Sequence, residues 1–124
     1  MGPLQTSVGS ASVLAVAGTA ALFALFLSLT AHLAARNVLG DVPIRNAFLV
    51  GPVPAAIAVV AGALELPSIP AVVVAVLLDA ALIRYVYDLD RRLTAAVTAI
   101  HAVVSIILGS VIFSLYVLVR SAPG

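Results

Sequence analysis

Apolar residues fill four long stretches, over about residues 8–35, 44–66, 69–87 and 93–119, and polar residues gather in the short segments between them. Each stretch is close to or above the ~20 residues that carry a helix across ~30 Å of hydrocarbon. The runs are rich in Ala, Leu and Val without strict alternation, so they predict helices and not the strands of a membrane barrel. The first stretch has no basic residue before it and outruns the roughly 7–15 apolar residues of a cleaved signal, so it is read as a span. The connections are short, which makes consecutive helices antiparallel neighbours. Gly40 is the expected stop of the first helix, with Asp41 as N-cap and Pro43 in the first turn of the second. Glu65-Leu66-Pro67-Ser68-Ile69-Pro70 predicts a tight turn, and Asp88-Leu89-Asp90-Arg91-Arg92 joins the last two spans.

Composition points the same way. The 124 residues are 64% hydrophobic and only 9% charged, too little charge to cover a water-soluble surface. The lipid bilayer is therefore the expected surrounding, and the cell membrane the expected location. A net charge of +1 without a basic run argues against nucleic acid as a partner. With no cysteine, thiolate metal sites, iron–sulfur clusters and Cys nucleophiles are excluded. Two histidines on different helices, without a third ligand, give no metal site, and no cofactor is expected. The chain carries no Gly-rich phosphate loop, no Gly-x-Ser-x-Gly elbow and no His-Glu-x-x-His, so no catalytic residue is assigned. Ser105, one turn from His101, could pair with it, although a helical serine more often bonds its own preceding turn.

The arginines set the expected orientation. Arg36 and Arg45 flank the first loop and Arg84, Arg91 and Arg92 the third, whereas Arg120 alone lies on the other side. The positive-inside bias predicts cytoplasmic loops one and three with both termini outside. These five arginines read as a topology anchor that meets anionic lipid headgroups. Arg84 and Asp88, one turn apart, are placed to pair, and Tyr85 and Tyr87 fall at headgroup level.

Asp79 lies nine residues before Asp88, about 13 Å deep at helical rise and near the bilayer centre. A carboxylic acid at that depth is expensive against lipid and is expected to face the bundle. His101 sits nine residues after Arg92 on the next antiparallel helix, so a hairpin brings the two level. A hydrogen-bonded Asp79–His101 pair would satisfy both groups, as a packing contact or as a proton relay. Small residues repeat every four positions on the same faces: Ala71 and Ala75 before Asp79, then Ser105 and Gly109 after His101. Ala20, Ala24, Ser28 and His32 form a similar stripe on the first span. In the second span, Gly51-Pro52-Val53-Pro54 removes the donors for the carbonyls of Phe48 and Val50. A kink at Gly51, Pro52 and Pro54 is the expected result; an opened helix that binds an ion or substrate is the alternative.

No family with a known activity fits. The first span lacks the acid of small multidrug transporters, the opening lacks the glycine-rich pattern of fluoride channels, and epoxide-reductase-like proteins need cysteines. Met1-Gly2-Pro3-Leu4-Gln5, Val42-Pro43-Ile44-Arg45-Asn46-Ala47 running into Val50-Gly51-Pro52, and the His101 helix with Gly109 resemble small uncharacterised multi-pass membrane proteins of halophilic archaea. That resemblance spans nearly the whole chain and implies no activity. The expected fold is an all-α integral membrane protein, four transmembrane helices in one up-down-up-down bundle. The expected function is a structural or accessory subunit of a membrane complex, as a homo-oligomer or with other membrane subunits. The alternative is a small proton- or ion-coupled transporter built on Asp79 and His101.

Overall fold

The computed structural model describes the backbone of residues 2–122 and the side chains of residues 12–122. Met1 and the side chains of the opening segment quoted above lie outside the described residues. Five helices follow in order: α1 (Gly2–Leu39), α2 (Ile44–Val50), α3 (Pro52–Ala63), α4 (Ser68–Tyr87) and α5 (Arg91–Ser121). Among the described residues there is no strand. Four spans, Ser12–Leu39, Ile44–Ala63, Ser68–Tyr87 and Arg91–Ser121, are long and apolar enough to cross a membrane. The second of these is α2 and α3 together. Both α1 and α4 touch α2, α3 and α5, while α1 and α4 themselves lie diagonally apart. Consecutive spans are thus neighbours around a ring, as short links require.

Packing is concentrated in the half of the bundle nearest loops one and three. Ala31, Ala34, Ala35, Ala47, Val50, Ile83 and Val97 form one buried cluster there. Four of these seven are alanines, which let the backbones of α1 and α2 come close. Towards the opposite end α3 still packs on α1 and α4, and large apolar side chains such as Leu14, Ile69, Val72, Ile112 and Leu118 are exposed. Such a surface would drive aggregation in water, and it is the surface a helix presents to lipid.

The bend between α2 and α3 is a kink, not an opened helix. Gly51 keeps helical angles, φ −59° and ψ −40°, and its N–H donates to the Ala47 carbonyl at 2.9 Å. Gly51 also has a second role that its sequence context does not announce. A Cβ at this position would overlap the backbone of Ser28, reaching 2.6 Å from its Cα. The missing side chain is what allows the kinked span to lie against α1.

The helix ends correct three expectations. Gly40 does stop α1, in the left-handed region at φ +88°. Asp41, however, does not cap α2: Pro43 occupies the N-cap in extended geometry, and no side chain bonds the free amides. Arg84 and Asp88 do not pair. Asp88 is the left-handed cap of α4 at φ 54°, and the Leu89 N–H reaches back to the Arg84 carbonyl at 3.0 Å, so Asp88 has left the helical face. Tyr85 is exposed as a headgroup residue would be, but Tyr87 turns inward and its hydroxyl is buried. Asp90 is the true cap at the third loop, its Oδ1 accepting from the Leu93 N–H at 2.9 Å.

Two substitutions test this packing. Gly51→Ala is expected to destabilise the fold by about 1–3 kcal/mol, the range for forcing atoms into a filled site. Gly62→Ala meets nothing within 4 Å and should be neutral or stabilise the helix by up to about 1 kcal/mol. Unfolding titrations in mixed detergent micelles check both. Separately, Asp90→Ala should cost about 1 kcal/mol by the same assay through loss of the cap.

Candidate functional site

The His101 side chain joins three helices at mid-depth. Its Nδ1 lies 2.6 Å from Asp79 Oδ2 on α4, and its Nε2 lies 3.0 Å from the Leu27 carbonyl oxygen on α1. Both residues are buried, with His101 3% and Asp79 6% exposed. The expected pair is present, with the facing rotations that matched depth alone did not guarantee. The stripe on α5 explains that rotation: each of its members meets α1. Ser105 Oγ is 2.8 Å from Thr30 Oγ1, and Gly109 lies against the Phe26 ring, which a Cβ there would meet in ordinary contact at 3.8 Å.

The partners determine where the protons sit. A backbone carbonyl only accepts, so His101 Nε2 must carry a hydrogen and donate it to Leu27. Between Nδ1 and Oδ2 one proton is then shared, either on an imidazolium facing a carboxylate or on a carboxylic acid facing a neutral imidazole. Both forms leave the pair with zero net charge, the inexpensive condition in hydrocarbon. The Leu27 carbonyl also accepts the Thr30 hydroxyl at 3.1 Å. With its one proton committed there, Thr30 accepts from Ser105. Two donor groups on α5 thus converge on one turn of α1.

Residues 10–123 match the family described as a family of unknown function, DUF7473. The chain belongs to this family. The match takes in every residue of the polar node and all four spans apart from the start of α1. No curated protein and no solved structure matches the chain. This DUF7473 member is thus a small membrane protein of a family without an assigned activity, and its chemistry has to be read from its own residues.

Asp79 Oδ1 is buried and has no partner among the described residues. Beside it lies a recess of about 190 Å³ lined by Asp79, His101, Thr98 and Ser105 among mostly apolar neighbours. Pro54 lines the same recess, whereas Gly51 sits against Ser28 and Pro52 is exposed. The kink residues therefore do not assemble a site of their own. Arg36, Arg45, Arg84, Arg91 and Arg92 are all exposed at the end that carries loops one and three, and among the described residues none pairs with a carboxylate. His32 is half-buried with Nδ1 unpartnered. Among the described residues no group of three His, Cys, Asp or Glu side chains could hold a metal ion. Ser105 pairs with Thr30 and not with His101, whose two ring nitrogens are engaged by Asp79 and the Leu27 carbonyl.

Sequence reasoning missed the α1 half of the node. Thr30, a hydroxyl in a charge-free span, was an available signal. The Leu27 carbonyl leaves none, since any helical residue could offer one.

Replacing Asp79 or His101 by Leu should each destabilise this DUF7473 chain, and the double variant should lose less than the sum. The expected coupling is about 1–2 kcal/mol, at the upper end for contacts between membrane helices. Asp79→Asn should retain most of it, because an amide N–H can donate to Nδ1 of the neutral imidazole. A thermodynamic cycle in bilayers or bicelles measures the coupling.

Proposed function

We propose that this protein is a structural or accessory subunit of a membrane complex, a packing module in which Asp79 and His101 hold helix register. The observation that carries this reading is the engagement of both imidazole nitrogens, Nδ1 with Asp79 and Nε2 with Leu27. A relay histidine passes its proton on to a group that can take it, and here Nε2 faces a backbone carbonyl, which accepts a hydrogen bond but not a proton. The module would act through its lateral apolar surface, with further copies of itself or with other membrane subunits. By the distribution of arginines, loops one and three face the cytoplasm and both termini lie outside. The five arginines then rest among anionic headgroups of the cell membrane, in keeping with the resemblance to proteins of halophilic archaea.

One observation favours the second reading, a small proton- or ion-coupled transporter: Asp79 keeps one oxygen without a partner beside a recess. Reconstitution separates the two. In proteoliposomes under an imposed pH gradient, the structural reading predicts proton and cation flux no greater than in empty vesicles. It also predicts that native membranes solubilised in mild detergent hold the chain in a particle larger than its monomer. Flux that is abolished by Asp79→Asn in a folded variant would install the transporter in its place.

A further inference from the structure

Four of the five buried side-chain atoms that lack a partner among the described residues lie on α4 and α5: Tyr87 Oη, Thr94 Oγ1, Thr98 Oγ1 and Asp79 Oδ1. Their order along the helices is regular. Asp79, Ile83 and Tyr87 are spaced by four on α4, and Thr94, Thr98 and His101 by four and three on α5, so each set shares one helical face. The Asp79–His101 contact fixes the register of this antiparallel hairpin. It sets Ile83 level with Val97, and Tyr87 level with Leu93 and Thr94. The unpartnered oxygens therefore run as a file from the third loop at the headgroup level to the buried acid. Asp79, Thr94 and Thr98 are each more than nine-tenths buried, and hydrocarbon offers no partner to any of them.

We infer that this α4–α5 seam binds water, as a file that enters beside Tyr87, is held by the hydroxyls of Thr94 and Thr98, and ends on Asp79 Oδ1. The chemistry suits water and little else. A bound water needs two to four polar partners and room for one molecule. The seam offers hydroxyls that donate or accept and one carboxyl oxygen that accepts, and at its inner end Thr98 and Asp79 border a recess of about 190 Å³ that extends past His101. A cation would meet too few oxygens in a recess lined mostly by Ala, Val, Leu and Ile side chains. Ile83 and Val97, both fully buried, close the apolar side of the seam and restrict the water to its hydroxyl edge. Past His101 the recess continues between Val76, Ala102 and Ile106, and among the described residues it meets no further free hydroxyl to hold a water. Ser105 is committed to Thr30, and Val103, Ile106 and Ile107 are exposed and apolar. The held file thus ends at Asp79, beside the proton that Asp79 and His101 share.

Water-edited solid-state NMR of the isotope-labelled protein in bilayers with deuterated acyl chains tests the inference. Magnetisation from water should reach Thr94 first, then Thr98, then Asp79, each several-fold faster than Ala99 and Val103, which are exposed towards lipid at similar depth. In Thr98→Val, transfer to Asp79 should fall to the level of Ala99 while Thr94 keeps its rate. The inference is overturned if Thr98 and Asp79 in the wild-type chain are no wetter than Ala99. It is equally overturned if Thr98→Val leaves transfer to Asp79 unchanged.

Discussion

Hydrocarbon supplies no hydrogen-bond partner, so an acid and an imidazole at mid-depth must find theirs inside the bundle or not be there. In this chain the demand is met by one side chain. His101 reaches the Asp79 carboxylate with one nitrogen and the Leu27 carbonyl with the other, and the rotation of α5 about its axis follows from having to do both. Once α5 is set, Ser105 falls opposite Thr30 and Gly109 opposite Phe26. Helix register in a membrane is hard to define by apolar packing alone, since Leu against Leu is little different from Leu against lipid. A polar node of directed bonds has no such ambiguity.

The remaining architecture complements that node. Alanines on α1 and α2 close the bundle near loops one and three, and Gly51 lets the kinked span ride on the backbone of Ser28. The half beyond the node is apolar and exposes the outer parts of α1, α4 and α5. The unpartnered oxygens of Tyr87, Thr94 and Thr98 lie on the loop-three side of the Asp79–His101 pair.

Much of this was legible in the residues, and the reasons differ by feature. Span number and ring order follow from apolar length and loop length, two signals that hydrocarbon makes nearly obligatory. The Asp79–His101 contact was legible because depth is counted along a helix, at 1.5 Å per residue, from the polar loop between them. Rotation was less legible, and only the small-residue stripes pointed to it. What stayed hidden was local backbone geometry. Asp88 adopts a left-handed angle at φ 54°, a conformation usually left to glycine, so the Arg84–Asp88 pairing was misjudged. Asp41 looked like a cap because its residue type suits one, while the neighbouring Pro43 had already fixed where α2 begins. The contribution of Leu27 is a main-chain atom, which no side-chain pattern records.

The claim on which the rest stands is that His101 donates from Nε2 to α1 while sharing a proton from Nδ1 with Asp79. Nitrogen-15 solid-state NMR of ring-labelled histidine in bilayers reads it directly, with carbon-13 on the aspartate carboxyl. The account predicts a protonated Nε2 and close proximity between Nδ1 and the Asp79 carboxyl carbon. A bare Nε2, or a ring with no contact to that carboxyl, would contradict it.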